Sequence, residues 1–182
     1  MIDISAVSYD VKVDWDMTDW SAEPDFGQAE DDISQDVQSV DIARGKDTES
    51  GNAPAATLEI RLKPGLCLKY SPVNSDGPLY GRLLPWRAIN VMTIYGGSRY
   101  QLYAGFISKI SINPHEDIQS VTLYCTDGMD LLARQLLTED HDNKSAMTEG
   151  DAVSIILDAA GWGGRRSIDT GGSVIYPGVS EY

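Results

Sequence analysis

The stretch Val7-Ser-Tyr-Asp-Val-Lys-Val-Asp-Trp15 alternates Val7, Tyr9, Val11, Val13 and Trp15 with Ser8, Asp10, Lys12 and Asp14. Residues two apart share one face of a strand, so this period predicts a β-strand with one buried face. The pattern recurs outward along the chain. A further strand is expected over Val37 to Ala43, and Leu58, Ile60 and Leu62 alternate with Thr57, Glu59 and Arg61 before Pro64-Gly65 stops them. Ile89 to Tyr95 and Tyr100 to Phe106 flank Gly96-Gly97-Ser98-Arg99, a hairpin signal longer than the two-residue type. Phe106 to Ile112, closed by Asn113-Pro114, is the next β run, and Ser120 to Thr126 follows with Val121, Leu123 and Cys125 on one face. Six or seven strands joined by polar turns predict a mainly β protein, a small barrel or sandwich.

The pattern changes at Asp127. This residue can cap a helix over Gly128 to Leu137 in which Met129, Leu132 and Leu136 fall at helical spacing. Thr148-Glu-Gly-Asp151 has the form of a capping box opening a helix from Ala152 to Ala160, with Val153, Ile156, Leu157 and Ala160 on one face and Gly161 as its stop. A boundary is placed at residues 127 to 140: a β domain over 1–130 and the start of an α+β domain over 131–182. One short helix and a short strand bury too little to stand alone, so the second part is expected to be incomplete.

Acid and base are unevenly distributed. Of 28 acids and 14 bases, residues 1 to 60 hold 15 acids and 3 bases, so nearly all of the net charge of -14 lies in the first third. Such a chain is a poor polyanion binder, because phosphate attraction needs clustered Lys and Arg. The two cysteines, Cys67 and Cys125, form neither a zinc pattern nor a disulfide framework and are expected to be buried thiols. No signal peptide and no run of about 20 apolar residues is written, so no membrane segment is expected.

Nor does the chain contain a recognisable nucleophile or phosphate-binding motif, and His115 and His141 stand in polar loops. It is expected not to be an enzyme. Asp14-Trp-Asp16-Met-Thr18-Asp19 places oxygens at alternating positions, as a calcium loop does, but lacks its glycine and its closing glutamate. Asp14, Asp16 and Asp19 are therefore candidate calcium ligands, and no other cofactor is expected. Residues 66 to 87, interrupted by Pro72, Gly77, Pro78, Gly81 and Pro85, read as a long ordered connection, which is uncommon unless it has a task. Aromatic residues gather around it and the hairpin. Trp86, Tyr100 and Tyr103 are a candidate sugar platform, giving an alternative reading as a calcium-assisted carbohydrate-binding β module.

Tyr70-Ser-Pro-Val-Asn74-Ser-Asp-Gly-Pro78-Leu-Tyr-Gly81-Arg-Leu-Leu-Pro85-Trp86 resembles a segment of the minor tail proteins of long-tailed bacteriophages and related prophages. Three further similarities occur in the same order: Val11 to Asp16, Tyr103-Ala-Gly-Phe-Ile107, and Leu157-Asp-Ala-Ala-Gly-Trp162 followed by Arg166 to Gly171. Two positions depart from the family pattern, Trp86 where it has glycine after Pro85, and Gly163 where proline commonly follows Trp162. The resemblance implies a structural component of the virion, a tail-tip or baseplate hub: a β-barrel domain of tail-tube type, then the beginning of a second hub domain. It implies a homotrimer in contact with neighbouring tail proteins such as the distal tail ring, made in the host bacterial cytoplasm and located in the virion tail. Tyr70, Pro72, Asn74, Pro78, Leu79, Tyr80, Gly81 and Trp86 are the candidate interface residues. Asp19, Glu30, Asp31 and Asp32 are candidate channel-facing acids that would repel DNA during its passage and ejection.

Overall fold

A computed structural model describes residues 7–18, 22–45, 54–114, 119–134, 147–162, 166–169 and 174–175. The chain divides into two compact units, Met1–Asp19 with Pro24–Leu131, and Trp20–Glu23 with Leu132–Tyr182. His115, His141 and Asp19 lie outside the described residues.

The first unit is mainly β. Strands β1 (Ser8–Asp14), β2 (Val37–Ala43), β3 (Thr57–Leu62), β4 (Ala88–Tyr95), β5 (Ser98–Asn113) and β6 (Ser120–Thr126) form one antiparallel sheet in the order β1-β4-β5-β6-β3-β2. The two β runs expected on either side of Phe106 are a single strand of 16 residues. Its first part pairs with β4 and its second with β6, and Phe106 meets both Ala88 and Thr126. Leu102 and Ser108 are extra residues at its two register shifts. Bulges of this kind bend a strand and raise its twist, which lets the sheet curl into a half-barrel. The hairpin is tighter than its sequence suggested. Tyr95 pairs with Ser98, leaving only Gly96 (φ 57°) and Gly97 (φ 79°) in the turn. Both positions need positive φ in that turn type, and two glycines supply it at little steric cost.

Alternation builds the core. Val11, Val13 and Trp15 of and just after β1 are at most 1% exposed, and so are Leu58, Ile60 and Leu62 of β3. Val121, Leu123 and Cys125 face inward from β6 as their spacing predicts. The outer edge of β1 is covered near its middle, where Val11 N–H donates to Ser34 Oγ (2.9 Å) and Val11 O accepts from Ile33 N–H (3.0 Å). Cys67 and Cys125 are free and buried; burial pushes the Cys125 thiol up to about 12.

At the end of β6, Asp127 Oδ1 accepts from Met129 N–H (3.0 Å) and caps helix α1 (Gly128–Arg134). Its Oδ2 accepts from Ala56 N–H (2.8 Å), so the same side chain fixes the approach to β3. The apolar face expected through Met129 is not the buried one: Met129 is exposed and Leu131 buried.

In the second unit, β7 (Met147–Thr148) pairs with β8 (Val174–Ile175) and leads into α2 (Glu149–Ala159). The capping box forms as written, Thr148 Oγ1 accepting from Asp151 N–H (3.2 Å) and Asp151 Oδ2 from Thr148 N–H (3.2 Å). The helix stops at Gly161, whose N–H donates to Asp158 O, while Trp162 N–H donates to Leu157 O. Of the four apolar positions expected on one face, Val153 and Ile156 are exposed, Leu157 is half-buried and Ala160 is buried. Among the described residues no helix is long and apolar enough to cross a membrane.

Candidate functional site

The long connection between β3 and β4 is a run of successive turns. Leu66 O, Ser71 O, Asn74 O, Gly77 O and Leu79 O accept from Tyr70, Asn74, Gly77, Tyr80 and Arg82 N–H respectively, so the segment satisfies its own backbone locally. Asn74 Nδ2 adds a bond to Leu68 O (2.9 Å). Four side chains of this segment belong to the core cluster: Tyr70 and Leu79, both 0% exposed, and, less completely buried, Cys67 and Leu83. The Tyr70 ring lies 6.1 Å from that of Trp15, and its hydroxyl donates to Asp36 Oδ2 (2.7 Å). Lys69 Nζ donates to the same oxygen at 2.5 Å.

This placement divides the candidate interface residues. Tyr70 and Leu79 are not surface contacts but anchors within the unit, because both side chains are enclosed by the core cluster. Pro72, Pro78, Tyr80 and Gly81 are exposed, whereas Asn74 and Trp86 are half-buried. Beside the anchors stand exposed apolar residues: Leu68 before Tyr70 at 74%, Val73 between Tyr70 and Leu79 at 86%, and Leu84 beyond at 52%. Trp86 has a left-handed backbone (φ 67°), which costs a non-glycine residue about 1 kcal/mol or more. It is held there because Trp86 N–H donates to Ile107 O (2.7 Å) and Ile107 N–H to Arg87 O (2.9 Å).

The acidic loop after β1 is organised by backbone capping. Asp14 Oδ1 accepts from Asp16 N–H (3.1 Å) and Met17 N–H (2.8 Å), and Oδ2 from Asp25 N–H (2.9 Å). Asp16 Oδ2 takes Arg82 Nη2 at 2.7 Å, tying this loop to the long one. Both oxygens of Asp14 and Oδ2 of Asp16, the described members of the candidate calcium set, therefore accept from protein donors. Among the described residues no group of three acids, cysteines or histidines is arranged to hold a metal ion. Arg87 is buried nearby; burial pulls its guanidinium below the ordinary range while Asp14 and Asp16 pull it back up.

Glu30, Asp31 and Asp32 do not form one exposed acidic face. Asp31 is 1% exposed, its Oδ2 accepting from Gln28 N–H (2.9 Å), and so cannot line a channel from within the unit. Glu30 is half-buried and its carbonyl accepts from Trp15 Nε1 (3.1 Å). Asp32 is exposed, accepting from Ser34 N–H and Oγ (2.9 and 2.6 Å). The sugar platform is likewise not assembled: Tyr100 is exposed, but Tyr103 is 4% exposed with its hydroxyl 3.4 Å from Ala56 O.

The adjacent carboxyls respond oppositely to acid. Burial, with Asp14 adding to it, raises Asp31 above its ordinary 3.8 against the hydrogen bonds that lower it. The Ser34 side-chain and backbone donors lower Asp32 below that value. Asp31 thus imposes a cost on the folded state that is complete above its folded pKa and disappears as pH falls toward 3.8. The Asp32 contribution is present above 3.8 and is lost as pH falls through its lowered value. An Asp31→Asn variant should melt higher than the wild type at pH 7, with the difference shrinking as the pH is brought to 4. A gap that is constant with pH, or one of opposite sign, would contradict this account.

No protein-family model matches the chain, and no curated protein matches its sequence.

Proposed function

We propose that the chain is a structural component of a phage tail tip, a hub subunit whose work is assembly. The observation that carries the reading is the 63–87 connection: buried Tyr70 and Leu79 fix a turn-rich segment that holds Leu68, Val73, Tyr80 and Leu84 in solvent. Exposed apolar groups on an ordered support suit a contact with another protein surface. The resemblance of this same segment to phage minor tail proteins supplies the setting, and the curled antiparallel sheet is compatible with a tail-tube type of barrel. In this reading copies of the chain assemble as a trimer next to the distal tail ring, the loop of each reaching its neighbour.

The test is mass photometry of the chain together with electron microscopy of the particle that carries it. Trimers at micromolar concentration and three or six copies at the tail end are expected. Val73→Glu combined with Tyr80→Ala should dissolve the trimer without changing the melting temperature, since both side chains are exposed. A wild-type chain that forms no trimer and is missing from the tail end would overturn the proposal.

A further inference from the structure

The sequence holds two Asp-Gly steps, Asp76-Gly77 in the long connection and Asp127-Gly128 at the head of α1. Such a step is open to an intramolecular reaction. The amide nitrogen of the glycine attacks Cγ of the preceding aspartic acid, and the absent side chain leaves that nitrogen unhindered. The protonated carboxyl loses a hydroxyl and the amide its proton, together one water, and a five-membered succinimide closes. Water then reopens the ring at either carbonyl, giving back aspartate or leaving isoaspartate, in which the main chain runs through Cβ. No oxidant or cofactor enters. The two steps stand in different surroundings. Asp127 is locked: its Oδ1 accepts from Met129 and Asp130 N–H (3.0 and 3.4 Å) and its Oδ2 from Ala56 N–H (2.8 Å). Three donors hold this carboxyl in one orientation and favour its ionised form, whereas ring closure needs it rotated and protonated. Asp76 is exposed, and among the described residues no group donates to its carboxylate.

We propose that Asp76 is a site of spontaneous isoaspartate formation, with Asn74 setting its rate. The nitrogen that must attack is held in a turn, Gly77 N–H donating to Asn74 O (3.0 Å). Asn74 is itself braced, its N–H donating to Ser71 O (3.3 Å) and its Nδ2 to Leu68 O (2.9 Å). These bonds are local to the loop. Opening them leaves the sheet intact and costs far less than global unfolding. Freeing Asp127 instead breaks its bond to Ala56, beside the Asp127 N–H to Ala56 O bond (3.1 Å) that continues the pairing of β3 with β6. Reaction there waits on opening of the sheet end. The product also alters the loop. One extra main-chain carbon between residues 76 and 77 displaces Gly77 N–H from Asn74 O, and disturbs the next turn, in which Tyr80 N–H donates to Gly77 O (3.1 Å). The exposed side of the loop is thereby changed while Tyr70 and Leu79 remain in the core cluster. The inference is independent of the tail-tip reading.

The experiment holds the full chain at 37 °C and pH 7.4, natively and in urea, and counts isoaspartate with protein-isoaspartate methyltransferase. Mass spectrometry locates it as a second elution peak of unchanged mass in the tryptic peptides Tyr70–Arg82 and Ile110–Arg134. In the native chain isoaspartate is expected at residue 76 and not at 127, whereas in urea both accumulate. Asp76→Glu, an exposed change that keeps the fold, should abolish the native signal, because glutamate has to close a larger and slower ring. Asn74→Ala removes the bond to Leu68 O and should speed the native reaction roughly threefold to tenfold while leaving the rate in urea unchanged. A native chain without isoaspartate at 76 over the time in which the urea sample forms it, or one that forms it equally fast at 127, overturns the assignment. An Asn74→Ala chain that reacts at the wild-type rate overturns the part given to Asn74.

Discussion

A Gly105→Ala variant is expected to lose about 3 kcal/mol of stability, and its melting temperature about 10 °C, through a single added methyl group. Gly105 lies in β5 opposite Ile89, one residue before Phe106, where the strand passes from β4 to β6. A Cβ built on it would stand 2.3 Å from Thr126 O and 2.8 Å from both Cε1 and the hydroxyl oxygen of Tyr103. Neither neighbour can yield cheaply. Thr126 is paired with Phe106 on one side and Thr57 on the other, so moving its carbonyl disturbs two ladders. Tyr103 is buried, with its hydroxyl against Ala56 O. Ala104→Ser, at the adjacent exposed position, is the control and should melt with the wild type. Circular dichroism melts of the two variants check the account, and an unchanged Gly105→Ala midpoint would remove it.

Gly105 also marks what the sequence could and could not express. Strands were legible wherever one face meets the core and the other meets water, as in β3 and β6, because burial then imposes a period of two; in β1 the period holds for Val11, Val13 and Trp15, but Tyr9 is exposed and Asp10 and Asp14 are buried. The capping box of Thr148 and Asp151 was legible because it is local, four residues bonding to one another. What depends on distant partners was hidden. Nothing near residue 105 announces that Thr126 O passes close by. Asp31 reads as one more solvated acid, yet its short turn carries it beneath Trp15 and Asp14, where it is desolvated. The 66–87 segment was recognisable as an ordered loop, but its tyrosines look alike in composition. Only packing distinguishes Tyr70, wholly enclosed, from Tyr80, at 54% exposure. Trp86 is the converse. Its departure from a pattern carrying glycine was visible in the sequence, and the left-handed φ explains why glycine suits that position.

Tyr70→Ala should be the most damaging change in the long loop, costing about 3–5 kcal/mol through the cavity it opens beside Trp15. Tyr70→Phe separates the ring from the hydroxyl. It keeps the packing and removes the bond to Asp36, an acceptor that is charged and mostly sheltered, so about 1.5–3 kcal/mol is expected. Burial and the Asp36 hydrogen bond hold the phenol far above its ordinary value, so it remains a donor throughout the neutral range and neither effect should vary between pH 6 and 9. The consequence for the loop is more specific than lost stability. Lys69 is now restrained by Asp36 (2.5 Å) and lies 5.4 Å from the centre of the Tyr70 ring. Without the ring, the turns from Leu66 to Asn74 lose their largest inward anchor and keep the smaller Cys67, while the pairing of β3 with β6 is untouched. Limited trypsin digestion should then cleave after Lys69 in Tyr70→Ala at temperatures where the sheet is still folded, slowly in Tyr70→Phe and not in the wild type. Because Leu68 and Val73 flank this anchor, the alanine variant should also lose the proposed loop-mediated trimer, whereas Tyr70→Phe should retain it. A Tyr70→Ala chain that melts with the wild type and resists cleavage at Lys69 would show that Cys67, Leu79 and Leu83 hold the loop without it, and the division of this segment into anchors and presented residues would have to be redrawn.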